Sequence, residues 1–400
     1  MYKNRVITLV FLAGLLLAAC AGPTPQITPE VEEEPIIIGS SAHLSGWMAV
    51  YDGPPRLGVL LAIKHINETG GIMGRPVEFI ELDGQTDAAV LGRVTQQLID
   101  EGADVLVAPC DFDFGAAAAQ VAQEKGIVAI STCASSPMYG SEALGDMQFT
   151  LSMWNTTMCA VASEFAYNEM GWRTAYVVTE TSTEYHTSLS DLFVKAFEHL
   201  GGEMINVDTY VQGDLDASAQ LQRYMALPEE PDVLFISSSM PDVGTIVRQF
   251  RAAGVETPIL GGDSYDNEEF YAAVGDELAH DIYMSTHSWV GDDSADPKMG
   301  EFIELWTEEY GNPPEYAYNT MGWDVVYAFK AGIEAAGTTE GHALAKALED
   351  MVIPGLSGAI DWSTAEEGHY PYKEAFILEV QDGEVSFLYK TMPEWLPPFK

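Results

Sequence analysis

The sequence predicts an α/β protein of two similar lobes, each a parallel sheet wound with helices on both faces. Three observations predict it. Short apolar, β-branched runs alternate with helical stretches from residue 35 to about residue 260, the alternation falls into two rounds of similar size, and the last third breaks it. Strands that are apolar throughout belong to a sheet covered on both sides.

The first round opens at Pro35 to Ser41 (PIIIGSS), a buried strand. Gly53 to Thr69 follows, with Val59, Ala62, Ile63 and Ile66 on one helical face. Gly70 to Pro76 is dense in turn formers; it follows a helix and lacks the GxGxxG spacing, so it is no phosphate cradle. Then come strand Val77 to Leu82, helix Ala88 to Glu101, strand Asp104 to Ala108, helix Gly115 to Lys125 and strand Ile127 to Ser131. The second round reads helix Thr156 to Met170, strand Thr174 to Val178, helix Thr187 to Leu200 and strand Glu203 to Tyr210. It continues with helix Ala217 to Ala226, strand Val233 to Ile236, helix Val243 to Ala253 and strand Pro258 to Leu260. Helices are then expected at Asp296 to Tyr310, Ala317 to Ala336 and Ala343 to Asp350. Phe376 to Val380 and Val385 to Tyr389 flank Gln381-Asp382-Gly383-Glu384 as a hairpin, expected to tie the lobes together.

The ends and the composition bound the compartment and the partners. Lys3 and Arg5 precede the apolar run Val6 to Leu17, and Leu17-Ala18-Ala19-Cys20 follows. That is the pattern of an export signal, residues 1–19, too short to span a bilayer. A cysteine after Leu-Ala-Ala resembles the bacterial lipobox, which makes Cys20 the lipidated mature terminus; the alternative is an ordinary signal with a chance cysteine. Residues 20–34, rich in Pro, Thr and Glu, read as a tether without a core. Sixty-one acids against 18 Lys plus Arg exclude nucleic acid and anionic lipid as partners and fit a solvated acidic shell.

The ordered set of short motifs resembles the type I periplasmic binding proteins of the branched-chain amino-acid (leucine-binding) class, the substrate-binding components of ABC transporters. It comprises Ser45-Gly46 with Tyr51-Asp52-Gly53; Ile66-Asn67 through Gly70-Gly71-Ile72 with Gly74; and Ala108-Pro109-Cys110 before a helix. Ile130-Ser131-Thr132 with Ser135-Ser136-Pro137, Val247-Arg248-Gln249 with Arg251 to Gly254, Tyr318 to Phe329, and Gly358 with Asp361 complete it. The resemblance implies discontinuous lobes joined by a hinge: residues 35–153 with 286–354, and 154–285 with 355–400. Ligands of open α/β sheets bind beyond the carboxyl ends of the strands, so two such crevices make a cleft that closes.

Strand ends place Tyr51, Asp111, Phe112, Cys133, Ala134 and Ser135 on the first lobe's side of that cleft, and the resemblance implies Tyr185, Ser239 and Asp263 on the second's. The resemblance makes Ser135 a hydroxyl donor to a ligand carboxylate, Tyr51 an aromatic wall and Asp263 the partner of a ligand ammonium, a charge-assisted bond. Asp263 alternatively serves the turn Gly261-Gly262-Asp263-Ser264. Asp111 stands where the resemblance implies a serine, and a carboxylate there repels a bound carboxylate. Trp47, Phe112 and Trp289 read equally as core or lid. The acid pair Asp111 and Asp263 favours an amino acid, amide or related amine-bearing solute.

Of four cysteines, Cys20 is assigned to lipid. Cys110 and Cys133 end neighbouring strands at one carboxyl edge, about 4.8 Å apart laterally, so a disulfide is expected; three buried free thiols are the alternative. Catalysis is the weaker class: no GxSxG elbow accompanies Gly262-Asp263-Ser264, and no HExxH or CxxC spacing supports a metal. The eight histidines are scattered and read as surface or satisfied core residues. The expectation is an exported, monomeric, cofactor-free binder that delivers its ligand to a membrane permease. A sensory lipoprotein of the same fold is the alternative, separated from it by neighbouring permease and ATPase genes; an exported hydrolase using Ser264 comes last.

Overall fold

In a computed structural model the chain is described over residues 34–213, 215–291, 294, 296–363 and 368–399. The export signal, Cys20 and all but the last residue of the tether lie outside them. The first round comprises β1 (Ile36–Ser40), α1 (Ala49–Glu68), β2 (Val77–Glu81), α2 (Ala88–Asp100), β3 (Val105–Ala108), α3 (Phe112–Lys125), β4 (Ala129–Ser131), α4 (Ser141–Leu144) and β5 (Gln148–Thr150). Its strands form a parallel five-stranded sheet ordered β2-β1-β3-β4-β5. β1, β3 and β4 are buried on both faces, as their unbroken apolar runs require.

The second round comprises α5 (Asn155–Glu164), continued by a π turn over Phe165–Glu169, then β6 (Thr174–Glu180), α6 (Glu184–Leu200), β7 (Glu203–Tyr210) and α7 (Ser218–Met225). It goes on through β8 (Val233–Ser237), α8 (Asp242–Ala252), β9 (Ile259–Gly261), α9 (Glu268–Val274) and β10 (Ile282–Thr286). The remainder is α10 (Pro297–Tyr310), α11 (Ala317–Ala336), α12 (Gly341–Glu349), the hairpin β11 (Val352–Gly355) and β12 (Gly358–Asp361), and the pair β13 (Ala375–Gln381) and β14 (Glu384–Thr391). The second sheet is seven-stranded, ordered β14-β13-β10-β9-β8-β6-β7.

The structure corrects three expectations. β13 and β14 pair antiparallel with each other and with β10, so the late hairpin extends one edge of the second sheet instead of tying the lobes together. The boundary expected at 355 also moves. Trp362 donates to the Thr150 carbonyl at 2.9 Å, and His369 stacks on Phe149 with ring centroids 4.0 Å apart, so this stretch packs on the first sheet's β5 edge. Finally, α3 and α6 start about one turn earlier than predicted, at Phe112 and Glu184, next to their caps Asp111 and Thr183.

Helices α10 to α12 return to the first sheet's side. α11 lies along α1 with the backbones in contact: a Cβ on Gly322 would sit 1.8 Å from the Pro55 carbonyl oxygen, and one on Gly58 would sit 2.1 Å from that of Asn319. This brings Tyr318, in the first turn of α11, to the seam between the sheets.

Candidate functional site

A carboxylate inside α1 sets the first sheet's loops. Buried Asp52 accepts the His43 N–H at 2.7 Å and the Cys110 N–H at 2.8 Å, fixing the turns after β1 and β3 together. Burial pushes its carboxyl up to about 7. Cys110 is bridged to Cys133, with Cα atoms 4.9 Å apart, which joins the turns after β3 and β4. Asp52 offers an oxygen within 4.8 Å of both sulfurs, but the bridge commits the sulfurs to each other. Cys159 is buried in α5, its thiol facing the Leu189 carbonyl at 3.0 Å.

Asp111 caps α3. Its Oδ1 accepts the N–H groups of Asp113 (2.6 Å) and Phe114 (3.4 Å), and its backbone takes φ +83° to bring the carboxylate there. Burial, and then neighbouring Asp113, push this carboxyl up to about 8. After β4, Ser135 is 2% exposed and its Oγ has no hydrogen-bond partner. Ala134 lies behind the wall, its N–H donated to Ser131 Oγ at 3.1 Å, so the structure removes it from the predicted lining.

On the second sheet's side, Asp263 follows β9 and is 2% exposed. Tyr185 donates to its Oδ1 at 2.6 Å, and His287 Nε2 lies 2.8 Å from its Oδ2. Burial holds the His287 imidazole below its usual range, so no formal positive charge offsets Asp263 from that side. Burial, followed by Asp263 itself, drives the Tyr185 hydroxyl well above its usual range. After β8, Ser239 Oγ sits 2.6 Å from His186 Nε2; His186 Nδ1 faces Thr183 Oγ1 at 2.8 Å and the Glu180 carboxylate. The Ser239 hydroxyl is therefore oriented from behind.

The two sides meet. Tyr51 donates to the Ser264 carbonyl at 3.2 Å and accepts the Met240 N–H at 2.8 Å; Tyr318 donates to the Asp263 carbonyl at 3.0 Å; the Glu184 N–H donates to Asp113 at 2.7 Å. Between them is a cavity of about 40 Å³. Of the predicted set, Tyr51, Asp111, Phe112, Cys133, Ser135, Tyr185, Ser239 and Asp263 line it. Trp47, Met48, Cys110, Ser136, Ser264 and Tyr318 complete the wall, whereas Trp289 stacks on Phe387 outside it. Ser264, the serine of the hydrolase alternative, spends its hydroxyl on the Ser238 carbonyl at 2.7 Å. Sequence reasoning missed Tyr318, His186 and His287. Tyr318 sat within a motif of the resemblance, but nothing in local spacing shows which carboxylate a lone histidine will meet.

A polar and aromatic cavity at the facing carboxyl edges of two α/β sheets defines a cleft-type binding protein of small solutes. Residues 35–384 match the sequence model of the family described as periplasmic binding protein, and the chain belongs to that family. Among curated relatives, the Leu/Ile/Val-binding protein BraC3 of Rhizobium johnstonii is 26% identical over 331 residues, 82% of this chain and 87% of that protein. The Leu/Ile/Val-binding protein homolog 3 of Brucella melitensis is 25% identical over 354 residues, 88% of this chain and 92% of that one. Among solved structures, the branched-chain amino acid transporter substrate binding protein LivJ of Streptococcus pneumoniae, in complex with isoleucine, superposes with TM-score 0.82 at 23% identity, covering 90% of this chain and 100% of its own. An R. palustris ABC-transporter solute binding protein in complex with benzoate gives TM-score 0.77 at 21% identity, covering 90% and 97%.

Proposed function

We propose that the chain is the substrate-binding lipoprotein of an ABC importer, a monomer that closes on an amino acid or related amine- or amide-bearing solute and passes it to a membrane permease. The observation that carries this reading is the cavity itself. Both sheets contribute polar side chains to it, and Tyr51 and Tyr318 latch one side to the other through hydrogen bonds that opening must break. Tyr51, Asp111, Phe112, Cys133, Ser135, Tyr185, Ser239 and Asp263 are its ligand-facing residues, and the action is capture and release without chemistry. The relatives' names, Leu/Ile/Val-binding proteins, support an amino-acid-like solute.

A thermal-shift screen of amino acids, amides, amines and aromatic acids tests the reading. A ligand at a thousand times its Kd adds about 4 kcal/mol to apparent stability, an unmistakable rise in midpoint. A screen in which only aromatic acids shift the midpoint would refute the amine-centred reading. Export and anchoring rest on Cys20. Cys20→Ser should leave the precursor unprocessed or release the protein from the membrane fraction, and retention of normal lipidation in that variant would remove the anchor.

A further inference from the structure

Helices α3 and α6 both begin at the cavity. A helix N-terminus carries unpaired N–H groups and a partial positive charge, which is where a protein of this kind can seat an anion. Here the N–H groups of Asp113 and Phe114 in α3 and of Glu184 in α6 are taken from within the chain. Asp111 holds the N–H groups of Asp113 and Phe114, and Asp113 Oδ2 reaches across to the Glu184 N–H at 2.7 Å. At φ +83° and ψ 146° Asp111 lies outside the left-handed helical region, in backbone space that side chains other than glycine rarely adopt.

The rest of the wall is just as short of donors. Tyr185 spends its proton on Asp263, Tyr318 on the Asp263 carbonyl and Tyr51 on the Ser264 carbonyl. The Tyr185 and Tyr318 oxygens therefore keep acceptor capacity towards the cavity, whereas the Tyr51 oxygen already accepts the Met240 N–H at 2.8 Å. Two carboxylates and no Lys or Arg stand among the described residues of the lining. Ser135 Oγ, 2% exposed and without a hydrogen-bond partner, supplies one uncharged hydroxyl still to be satisfied. A ligand carboxylate would meet the Asp263 carboxylate, a carboxyl at Asp111 that it would keep from ionising, and first-turn N–H groups of Asp113, Phe114 and Glu184 that are already taken, in a desolvated space where like charges repel. A nitrogen cation meets acceptors on several sides.

We propose that the cavity selects a solute whose head is an N–H-bearing cation without a free carboxylate, an alkylamine or an amino-acid amide in preference to the parent amino acid. This rests on the reading of the cavity as the ligand site. In it the ligand N–H groups face Asp263, the Tyr185 oxygen and Asp111, and Ser135 donates to the carbonyl of an amide.

Calorimetric titration of the full-length protein at neutral pH with two matched series tests it. One is L-leucine, L-leucinamide, 3-methylbutylamine and 4-methylpentanoate; the other is L-phenylalanine, L-phenylalaninamide, 2-phenylethylamine and 3-phenylpropanoate. In at least one series the amide or amine should bind about tenfold or more tighter than the amino acid, with no binding of the acid. An amino acid that binds as tightly as its amide overturns the proposal and leaves the cleft reading standing. Failure of all eight compounds to bind at about 10 mM refutes both. Asp111→Asn keeps the cap but cannot ionise beside a bound cation, as the Asp111 carboxyl can, so the preference for amide over amino acid should fall about tenfold. An unchanged preference removes Asp111 from the selection. If that variant melts out, Asp113→Asn, which can still accept the Glu184 N–H, should move the preference in the same direction.

Discussion

Asp263 holds two donors at once, Tyr185 through one oxygen and His287 through the other, and all three are enclosed. Replacing it by alanine removes a ligand contact and strands both partners, each left unpaired at about 1–3 kcal/mol. Asp263→Ala should therefore lose stability as well as affinity. Tyr185→Phe removes one hydroxyl and should weaken amine binding by about tenfold with a melting midpoint within a few degrees of the parent. Titration and a thermal melt on the same preparations separate the two, and undiminished affinity in Tyr185→Phe would take that hydroxyl out of the site. At this scale the sequence was informative where position alone decides. Ser135, Tyr185, Ser239 and Asp263 follow strands, and strand ends converge on the cleft. Ala134 failed because neighbours on a tight turn point to opposite sides. His186 and His287 were opaque because each takes its meaning from a carboxylate fixed by the fold, Glu180 and Asp263 respectively.

Elements whose apolar pattern is long were legible; those defined by pairing were not. β5 and β10 run three and five residues, and β10 (IYMST) is sheet only because β9 and β13 flank it. The hairpin β11–β12 was equally silent. It is pinned by buried Asp324 of α11, which accepts the Leu356 and Ser357 N–H groups, both at 2.8 Å, while buried Lys373 reaches Ser357 Oγ at 2.8 Å. The crossing of α1 and α11 makes a sharper demand. Gly322 has no room for a methyl group, since the nearest atoms are the Pro55 backbone, which a side-chain rotation cannot clear. Gly322→Ala should cost about 1–3 kcal/mol by forcing the helices apart. Gly300→Ala on α10, with nothing within 4 Å, should be neutral or gain about 0.5–1 kcal/mol from helix propensity. Urea midpoints decide between them, and equal midpoints for the two variants would contradict the close crossing.

Across the whole molecule the two-lobe order was legible because apolar strands alternate with helices over hundreds of residues, while the placement of the last hairpin depended on which sheet edge was open. The formal charge of −43 was legible too, yet it does not set the response to pH near neutrality, because surface carboxylates are already ionised there. The enclosed groups do. Burial pushes Asp52, Asp266 and Glu184 up to about 7, and Asp111, with Asp113 beside it, up to about 8. Between an unfolded carboxyl near 4 and these folded values the native state binds the extra protons, so these groups make stability fall as pH rises. His43, held down to about 4 by burial, and His287 and His369, lowered by the same cause, act oppositely: below about 6.5 the unfolded state binds their protons and stability rises with pH. The four carboxyls outweigh the three imidazoles up to pH ~6.5, and near pH 8 Lys373, lowered to about 8 by burial, begins to oppose them. The ligand-free protein should therefore melt lower at about pH 6.5 than at pH 5. It should then lose on the order of 2–4 kcal/mol by pH 8.5, several degrees of midpoint. Asp111→Asn should flatten that descent, since the group titrating latest is gone, and a saturating cationic ligand should flatten it too by favouring the ionised carboxylates it touches. A midpoint that holds level or climbs from pH 6.5 to 8.5 in the ligand-free protein would mean these carboxyls are already ionised in the fold.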